Sequence, residues 1–226
     1  DKDMGEVSPA KFIPIAEESG LIVAIGNWVI HTAIAQAAAW NKDGRHLSIS
    51  VNVSALQFQQ ANFVDNLANA LDDAHLDPSC IALELTESIL IRDVEETLKK
   101  LNAIAKLGVK MSIDDFGTGY SSLSYLKRFP INKLKIDRSF VMNLTKDESD
   151  IAIVTAIISL AHALKLKVIA EGVETQEQKD LLCALNCNEI QGFLIAKALN
   201  PHDFEARFLQ RDTALEQLEQ SASSKQ

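Results

Sequence analysis

Residues 109–122 read Val-Lys-Met-Ser-Ile-Asp-Asp-Phe-Gly-Thr-Gly-Tyr-Ser-Ser, and this stretch gives the first evidence about the fold. Apolar Val109, Met111 and Ile113 alternate with polar residues, which predicts a β-strand with one buried face. The strand ends in two adjacent carboxylates, Asp114 and Asp115, and a loop with two glycines follows. Adjacent carboxylates repel each other unless one is protonated or a cation lies between them. The stretch therefore predicts either an ordinary surface turn or a metal or acid–base site.

The composition is that of a globular protein with a substantial core. The 226 residues are 47% hydrophobic and carry a formal net charge of −9. So acidic a chain is not expected to bind nucleic acid or an anionic membrane non-specifically, although bound metals would still allow an anionic small ligand. Cys80, Cys183 and Cys187 are too few for a disulfide framework, which predicts reduced, mostly buried thiols in a cytoplasmic protein. We find no run of about 18 apolar residues that predicts a membrane span.

Strand and helix patterns alternate along the chain. Two helices come first, over residues 9–18 and 21–40. Six predicted strands follow, at 46–52, 81–85, 109–114, 133–136, 167–170 and 189–191. Their partner helices are predicted at 63–74, 94–107, 123–129, 150–164, 176–185 and 201–209, with Ser121 or Ser122 capping the third. Alternating units of this kind predict a parallel sheet, either doubly wound or closed into a barrel.

The polar residues at the strand ends favour the barrel. Residues two apart in a strand share a face, and in each predicted strand one face is apolar while the other ends in a polar group. These polar groups are Asn52, Glu84, Asp114, Lys135, Glu171 and Gln191. Barrel enzymes carry their chemistry on such a ring at the carboxyl ends of the strands. Because only six units are present, we predict an N-terminally truncated TIM-type (β/α)8-like barrel over residues 1–209, followed by a polar tail over 210–226.

The ring offers oxygen ligands for hard cations. The candidate metal ligands are Asn52, Glu84, Asp114, Asp115 and Glu171. Such a set suits Mg²⁺ or Mn²⁺, and two ions about 3.5–4 Å apart would suit in-line phosphoryl displacement. Lys135 is predicted either to hold the attacking water and neutralise a phosphate, or to seal the barrel by pairing with Asp114.

Several short motifs occur along the chain in a fixed order. They are residues 8–14 and 16–20, Asn52-Val53-Ser54, Glu84-Leu85-Thr86-Glu87, residues 114–121, Lys135-Ile136-Asp137, residues 171–174 and Gln191-Gly192-Phe193. With these motifs in this order, the chain resembles the EAL-type cyclic di-GMP phosphodiesterase domain from about Val7 to Phe208. The resemblance implies a barrel enzyme of bacterial second-messenger signalling that hydrolyses cyclic di-GMP to linear pGpG with two bound metals, Mg²⁺ or Mn²⁺.

The resemblance also implies a role for each matching residue. Asn52, Glu84 and Asp114 match ligands of the first metal, and Asp114, Asp115 and Glu171 match ligands of the second. Lys135 matches the residue that orients the attacking water, and Glu171 is also a candidate general base. The remaining matches are Glu87 as the anchor of the loop after Asp115, Gln191 close to the ligand, and Phe193 stacked on a guanine.

One departure from the family leaves the activity open. The Glu-Ala-Leu strand, whose Glu is a ligand of the first metal, is expected upstream of residue 8 and does not occur in this chain. The alternatives are a non-catalytic module that binds cyclic di-GMP or a partner protein, and a hydrolase for another phosphodiester. The resemblance further implies a homodimer, and sensory or diguanylate cyclase-type domains fused upstream.

Overall fold

Six parallel strands lie side by side in the order of the chain and form one sheet that curls into half of a barrel. The computed structural model describes residues 7–91, 93–118 and 126–209. The strands are β1 (Ile49–Val53), β2 (Ile81–Thr86), β3 (Lys110–Phe116), β4 (Lys133–Ile136), β5 (Lys167–Ala170) and β6 (Glu189–Ile190). A doubly wound sheet would reverse its strand order at a switch point, so this order matches the barrel prediction.

Helices connect the strands and cover one face of the sheet. They are α1 (Pro9–Glu18), α2 (Leu21–Asn41), α3 (Ala55–Gln59), α4 (Phe63–Asp73), α5 (Glu87–Ile91), α6 (Val94–Leu107), α7 (Arg138–Met142), α8 (Glu148–Ala163), α9 (Gln176–Ala184) and α10 (Pro201–Phe204), with a 3₁₀ turn at Pro78–Cys80 and a π-helical turn at Glu205–Leu209. The sequence did not predict the five-residue helices α3, α5 and α7. Most of the helix predicted at 123–129, with its serine cap, and the polar tail lie outside the described residues.

The apolar face of the sheet forms the core, as the alternation of residues predicted. Eleven strand side chains on this face are 4% exposed or less: Val51, Val53, Ile81, Leu83, Leu85, Met111, Ile113, Leu134, Ile136, Val168 and Ala170. The long helix α8 buries Val154, Ile157, Ile158 and Ala161 in the same core. The opposite, concave face is therefore left to the polar residues of the strands.

Helix α2 requires a correction to the expectation about membrane spans. It has 21 residues, and its most apolar 18-residue window has a mean hydropathy of 1.5, so it is long and apolar enough to cross a membrane. Only 22% of that window is buried, but Ile30, Ile34 and Ala37 are part of the core. One such helix is weak evidence for a span, because core helices of soluble proteins meet the same criteria.

The three cysteines are free thiols, as predicted. Cys80 is buried and Cys187 is half-buried. Cys183 lies on the outer side of α9 and is exposed, so the prediction of mostly buried thiols was wrong for this residue.

Candidate active site

The register of the sheet brings the polar strand ends together. Asn52 of β1 pairs with Glu84 of β2, and Thr86 pairs with Asp114 of β3. The backbone N–H of Glu171, just after β5, donates to the carbonyl of Ile136 at 3.2 Å. The carboxyl ends of neighbouring parallel strands thus meet at one edge, where barrel enzymes place their functional groups.

Lys135 lies at the centre of this edge and is 3% exposed. Its ammonium nitrogen lies 2.5 Å from Glu84 Oε2, 2.6 Å from Glu171 Oε1 and 3.0 Å from Asp114 Oδ1. Glu84 and Asp114 are also buried, and Glu171 is half-buried. The pairing of Lys135 with Asp114 belongs to one of the two alternatives that the sequence predicted for this lysine, and two further carboxylates share the same ammonium.

The three carboxylates form a group that could hold a metal ion. Each of Glu84, Asp114 and Glu171 offers an oxygen, and these oxygens lie within 4.8 Å of one another. Three ionised carboxylates against one ammonium leave a formal charge of −2, which a divalent cation would balance. Buried charges that lack full compensation are costly, so this imbalance itself favours a bound cation.

The protonation of the cluster follows from its burial and charge. Desolvation raises the pKa of Glu171, and although Lys135 opposes this effect, the Asp114 and Glu84 carboxylates reinforce it. Desolvation alone would lower the pKa of Lys135, but the ion pairs with Glu84, Glu171 and Asp114 outweigh it and raise this pKa above its ordinary value. Lys135 therefore stays charged in this environment.

Asp115 is not one of the three carboxylates whose oxygens converge. It is exposed and has a φ of +53°, next to the irregular pairing between β3 and β4. Desolvation and the nearby Asp114 and Asp137 carboxylates raise its pKa. The sequence assigned no role to Asp137, whose carboxylate also accepts the backbone N–H of Ser139 at the start of α7.

Asn52 and Gln191 flank the cluster from the two outer sides. Asn52 is exposed at the end of β1. Gln191 follows β6 and lines a cavity of about 520 Å³ on the concave face together with Glu84 and Lys135. Phe193 is 58% exposed and has the ammonium of Lys197 5.7 Å from its ring centroid, so its ring lies at the surface and outside that cavity.

Glu87 is the first residue of α5 and is 7% exposed. Both of its carboxylate oxygens are buried without a hydrogen-bond partner among the described residues. A buried carboxylate needs such partners, and the predicted partners belong to the loop after Asp115, of which residues 119–125 lie outside the described part of the chain. The anchor role of Glu87 therefore stays a prediction.

Comparison with known families agrees with this geometry. The family model described as the EAL domain matches residues 1–198. The chain belongs to the EAL domain family. The resemblance that the motifs indicated is thereby confirmed.

Named EAL relatives are close in sequence and in structure. The bifunctional diguanylate cyclase/cyclic di-GMP phosphodiesterase MucR of Pseudomonas aeruginosa is 50% identical over 197 residues, which is 86% of this chain and 29% of that protein. The cyclic di-GMP phosphodiesterase PdeR of Escherichia coli is 42% identical over 212 residues, 92% of this chain and 32% of that protein. The solved structure titled PaMucR phosphodiesterase, c-di-GMP complex, superposes with a TM-score of 0.85 at 48% identity, over 88% of this chain and 81% of that chain. The likeness confirms the predicted barrel-type EAL fold, and this chain spans less than a third of the two curated relatives.

Sequence reasoning overlooked one buried residue of this EAL domain. Gln178 in α9 is 6% exposed and forms a capping box with Thr175. The pattern Thr-x-x-Gln before a helix predicts such a box and could have identified it.

Proposed function

We propose that this EAL domain is a metal-dependent phosphodiesterase that hydrolyses cyclic di-GMP to linear pGpG. The observation that carries the proposal is the buried group of Glu84, Asp114 and Glu171 around Lys135, at the strand ends of an EAL fold. The similarity to MucR and PdeR, whose names include cyclic di-GMP phosphodiesterase, supports the same reaction. So does the similarity to the PaMucR structure, whose title describes a complex with c-di-GMP.

The donor chemistry of the cluster fits a hard divalent cation, and we propose Mg²⁺ or Mn²⁺. Glu84, Asp114 and Glu171 supply carboxylate oxygens, which these cations prefer to nitrogen or sulfur ligands. We further propose a two-metal site, completed by Asn52 beside Glu84 and by Asp115 beyond Asp114. When bound, the metals would polarise the phosphodiester and lower the pKa of the attacking water.

The protein side chains have separate proposed tasks. The ammonium of Lys135 would orient the attacking water and offset negative charge on the phosphate. Glu171, which lies against Lys135, is also the proposed general base. The 2.6 Å contact between Glu171 and Lys135 supports the proposal that the two groups act together.

Three further residues would shape the substrate site. Glu87 would anchor the loop after Asp115 through its buried carboxylate. Gln191, on the wall of the concave cavity, would contact the ligand, and the exposed ring of Phe193 would stack on a guanine. The Phe193 ring is available for this because most of it is exposed.

A substrate panel tests the proposal on the intact gene product. The protein is incubated with Mg²⁺ or Mn²⁺ and one of four substrates: cyclic di-GMP, cyclic AMP, cyclic GMP or a linear phosphodiester. The products are separated by liquid chromatography. We expect pGpG from cyclic di-GMP alone, and no product after chelation with EDTA. Cyclic di-GMP that binds without being cleaved would identify the non-catalytic alternative, and cleavage of another substrate would identify a different hydrolase.

We also propose a setting for this domain. It would act in the cytoplasm as a homodimer, joined in the same polypeptide to sensory or diguanylate cyclase-type domains, and without binding nucleic acid. Light scattering on the purified protein tests the homodimer, and a monomer at all concentrations would exclude it.

A further inference from the structure

The carboxamide of Gln178 joins two segments of the domain. Its Oε1 accepts the backbone N–H groups of Glu174 at 2.7 Å and Thr175 at 3.0 Å. Its Nε2 donates to the carbonyl of Val141 at 3.0 Å, with the carbonyl of Met142 at 3.5 Å. The first pair belongs to the turn 171–175, which begins with Glu171, and the second pair belongs to α7, which starts three residues after Lys135.

A second bridge runs in parallel on the surface. Arg138, the first residue of α7, forms a 2.8 Å ion pair with Glu174 of the same turn. Its aliphatic chain lies across Gly172, because a Cβ added there would be 2.3 Å from Arg138 Cγ. Gly172 also has a φ of +70°, so both the conformation and the close approach require glycine.

The turn 171–175 also holds the segment that carries Gln191 and Phe193. The backbone N–H of Val173 donates to the carbonyl of Gln191 at 3.0 Å, and the N–H of Leu194 donates to the carbonyl of Val173 at 3.0 Å. Val173 is fully buried, so these bonds are shielded from water. The turn 171–175 thus connects the cluster around Lys135 with the segment 191–194.

We propose that Gln178 is a positioning residue, which fixes Glu171 against Lys135 by tying the turn 171–175 to α7. The backbone of Glu171 is held on one side by its bond to Ile136, and Gln178 supplies the restraint on the other side. The amide is buried and all its polar atoms have partners, and such a network specifies one geometry. This inference rests on the proposed function, on its metal site for the effect on Mn²⁺ binding and on its reaction for the effect on turnover.

Two substitutions separate this role from simple capping of α9. In Gln178→Glu the carboxylate still accepts from Glu174 and Thr175, but it has no donor for Val141. If Gln178 only caps the helix, this variant should behave as the wild type. Gln178→Met removes both sets of bonds at similar volume. Gln176→Met is the matched control, because Gln176 is on the exposed side of the same helix and bonds only to Asp180 among the described residues.

The readouts are the Mn²⁺ dissociation constant, from electron paramagnetic resonance, and kcat and KM for cyclic di-GMP, all on the intact gene product. We expect both Gln178 variants to weaken Mn²⁺ binding and lower kcat by about 10- to 100-fold, with a smaller change in KM, as for loss of an outer partner of a metal ligand. The Gln176→Met control should keep the wild-type values.

Arg138→Met cuts the surface bridge without disturbing the core, so it reports on the same link even if a Gln178 variant does not fold. Like the Gln178 variants, Arg138→Met should weaken Mn²⁺ binding and lower kcat, but by a smaller factor. Wild-type Mn²⁺ affinity in both Gln178→Glu and Arg138→Met would overturn the positioning role. A wild-type protein that binds Mn²⁺ but does not cleave cyclic di-GMP would refute the proposed function alone, and the Mn²⁺ comparison would still decide the role of Gln178.

Discussion

The ammonium of Lys135 lies 2.6 Å from Glu171 Oε1, and two other carboxylates lie within 3.0 Å of the same nitrogen. Lys135 belongs to β4 and Glu171 follows β5, so this contact depends on the pairing of two adjacent strands. One cation compensates three anions here, which makes the cluster sensitive both to loss of the lysine and to gain of a metal.

Lys135→Met should destabilise the metal-free protein and abolish hydrolysis, yet tighten metal binding. Removing one partner of a buried ion pair costs roughly 3–5 kcal/mol, because the remaining charges are left uncompensated. A divalent cation would then supply the missing charge without competing with an ammonium. Thermal unfolding in EDTA measures the stability of the metal-free protein, and unfolding with Mn²⁺ measures the stabilisation by metal. Lys146→Met, at an exposed lysine, is the control. Higher stability of Lys135→Met than of the wild type in EDTA would contradict the prediction.

Asp114→Asn should abolish hydrolysis of cyclic di-GMP and weaken Mn²⁺ binding. Asp114 is the buried carboxylate that both proposed metals would share, so its loss should exceed the roughly 10–100-fold effect of losing an outer partner. Calorimetric titration with Mn²⁺ and a product assay measure the two effects. Asp72→Asn, on the exposed side of α4, controls for the change of charge. Activity within a few-fold of the wild type would rule out the shared-ligand role.

Glu87→Ala should reduce turnover although Glu87 is not among the residues that would touch the metal. Its buried carboxylate is expected to hold the loop after Asp115, and the loss of a charged hydrogen bond of this kind costs about 1.5–3 kcal/mol. Hydrogen exchange of the peptides that cover residues 116–125 should accelerate in the variant, and kcat should fall. Glu18→Ala, at the exposed end of α1, should change neither. Unchanged exchange together with unchanged kcat would remove the anchor role.

Much of the active site could be predicted from the sequence because strand geometry is periodic. Alternation alone separated the apolar core residues Leu83 and Ile113 from Glu84 and Asp114 on the opposite face, and a parallel sheet then brought the polar ends together. The pairing of Lys135 with Asp114 was also among the predicted alternatives. The structure adds that Glu84 and Glu171 share the same ammonium.

Other features do not follow from periodicity. Helices α3, α5 and α7 have five residues each, which is too short for a helical pattern to be recognised. Asp115 has a φ of +53°, a conformation that strand alternation does not predict, so its position relative to Asp114 could not be derived from the sequence pattern. The bond from Gln178 to Val141 joins residues 37 apart in sequence, and tertiary packing alone defines it.

The most direct test of this account is the location of Mn²⁺ by anomalous diffraction from crystals of the intact gene product, soaked with Mn²⁺ and a non-hydrolysable analogue of cyclic di-GMP. We predict two anomalous peaks that share the carboxylate of Asp114, one in contact with Glu84 and the other with Glu171, with a phosphate of the analogue on the ions. A cluster that keeps the Lys135 ion pairs and shows no anomalous peak at saturating Mn²⁺ would contradict the metal-dependent mechanism.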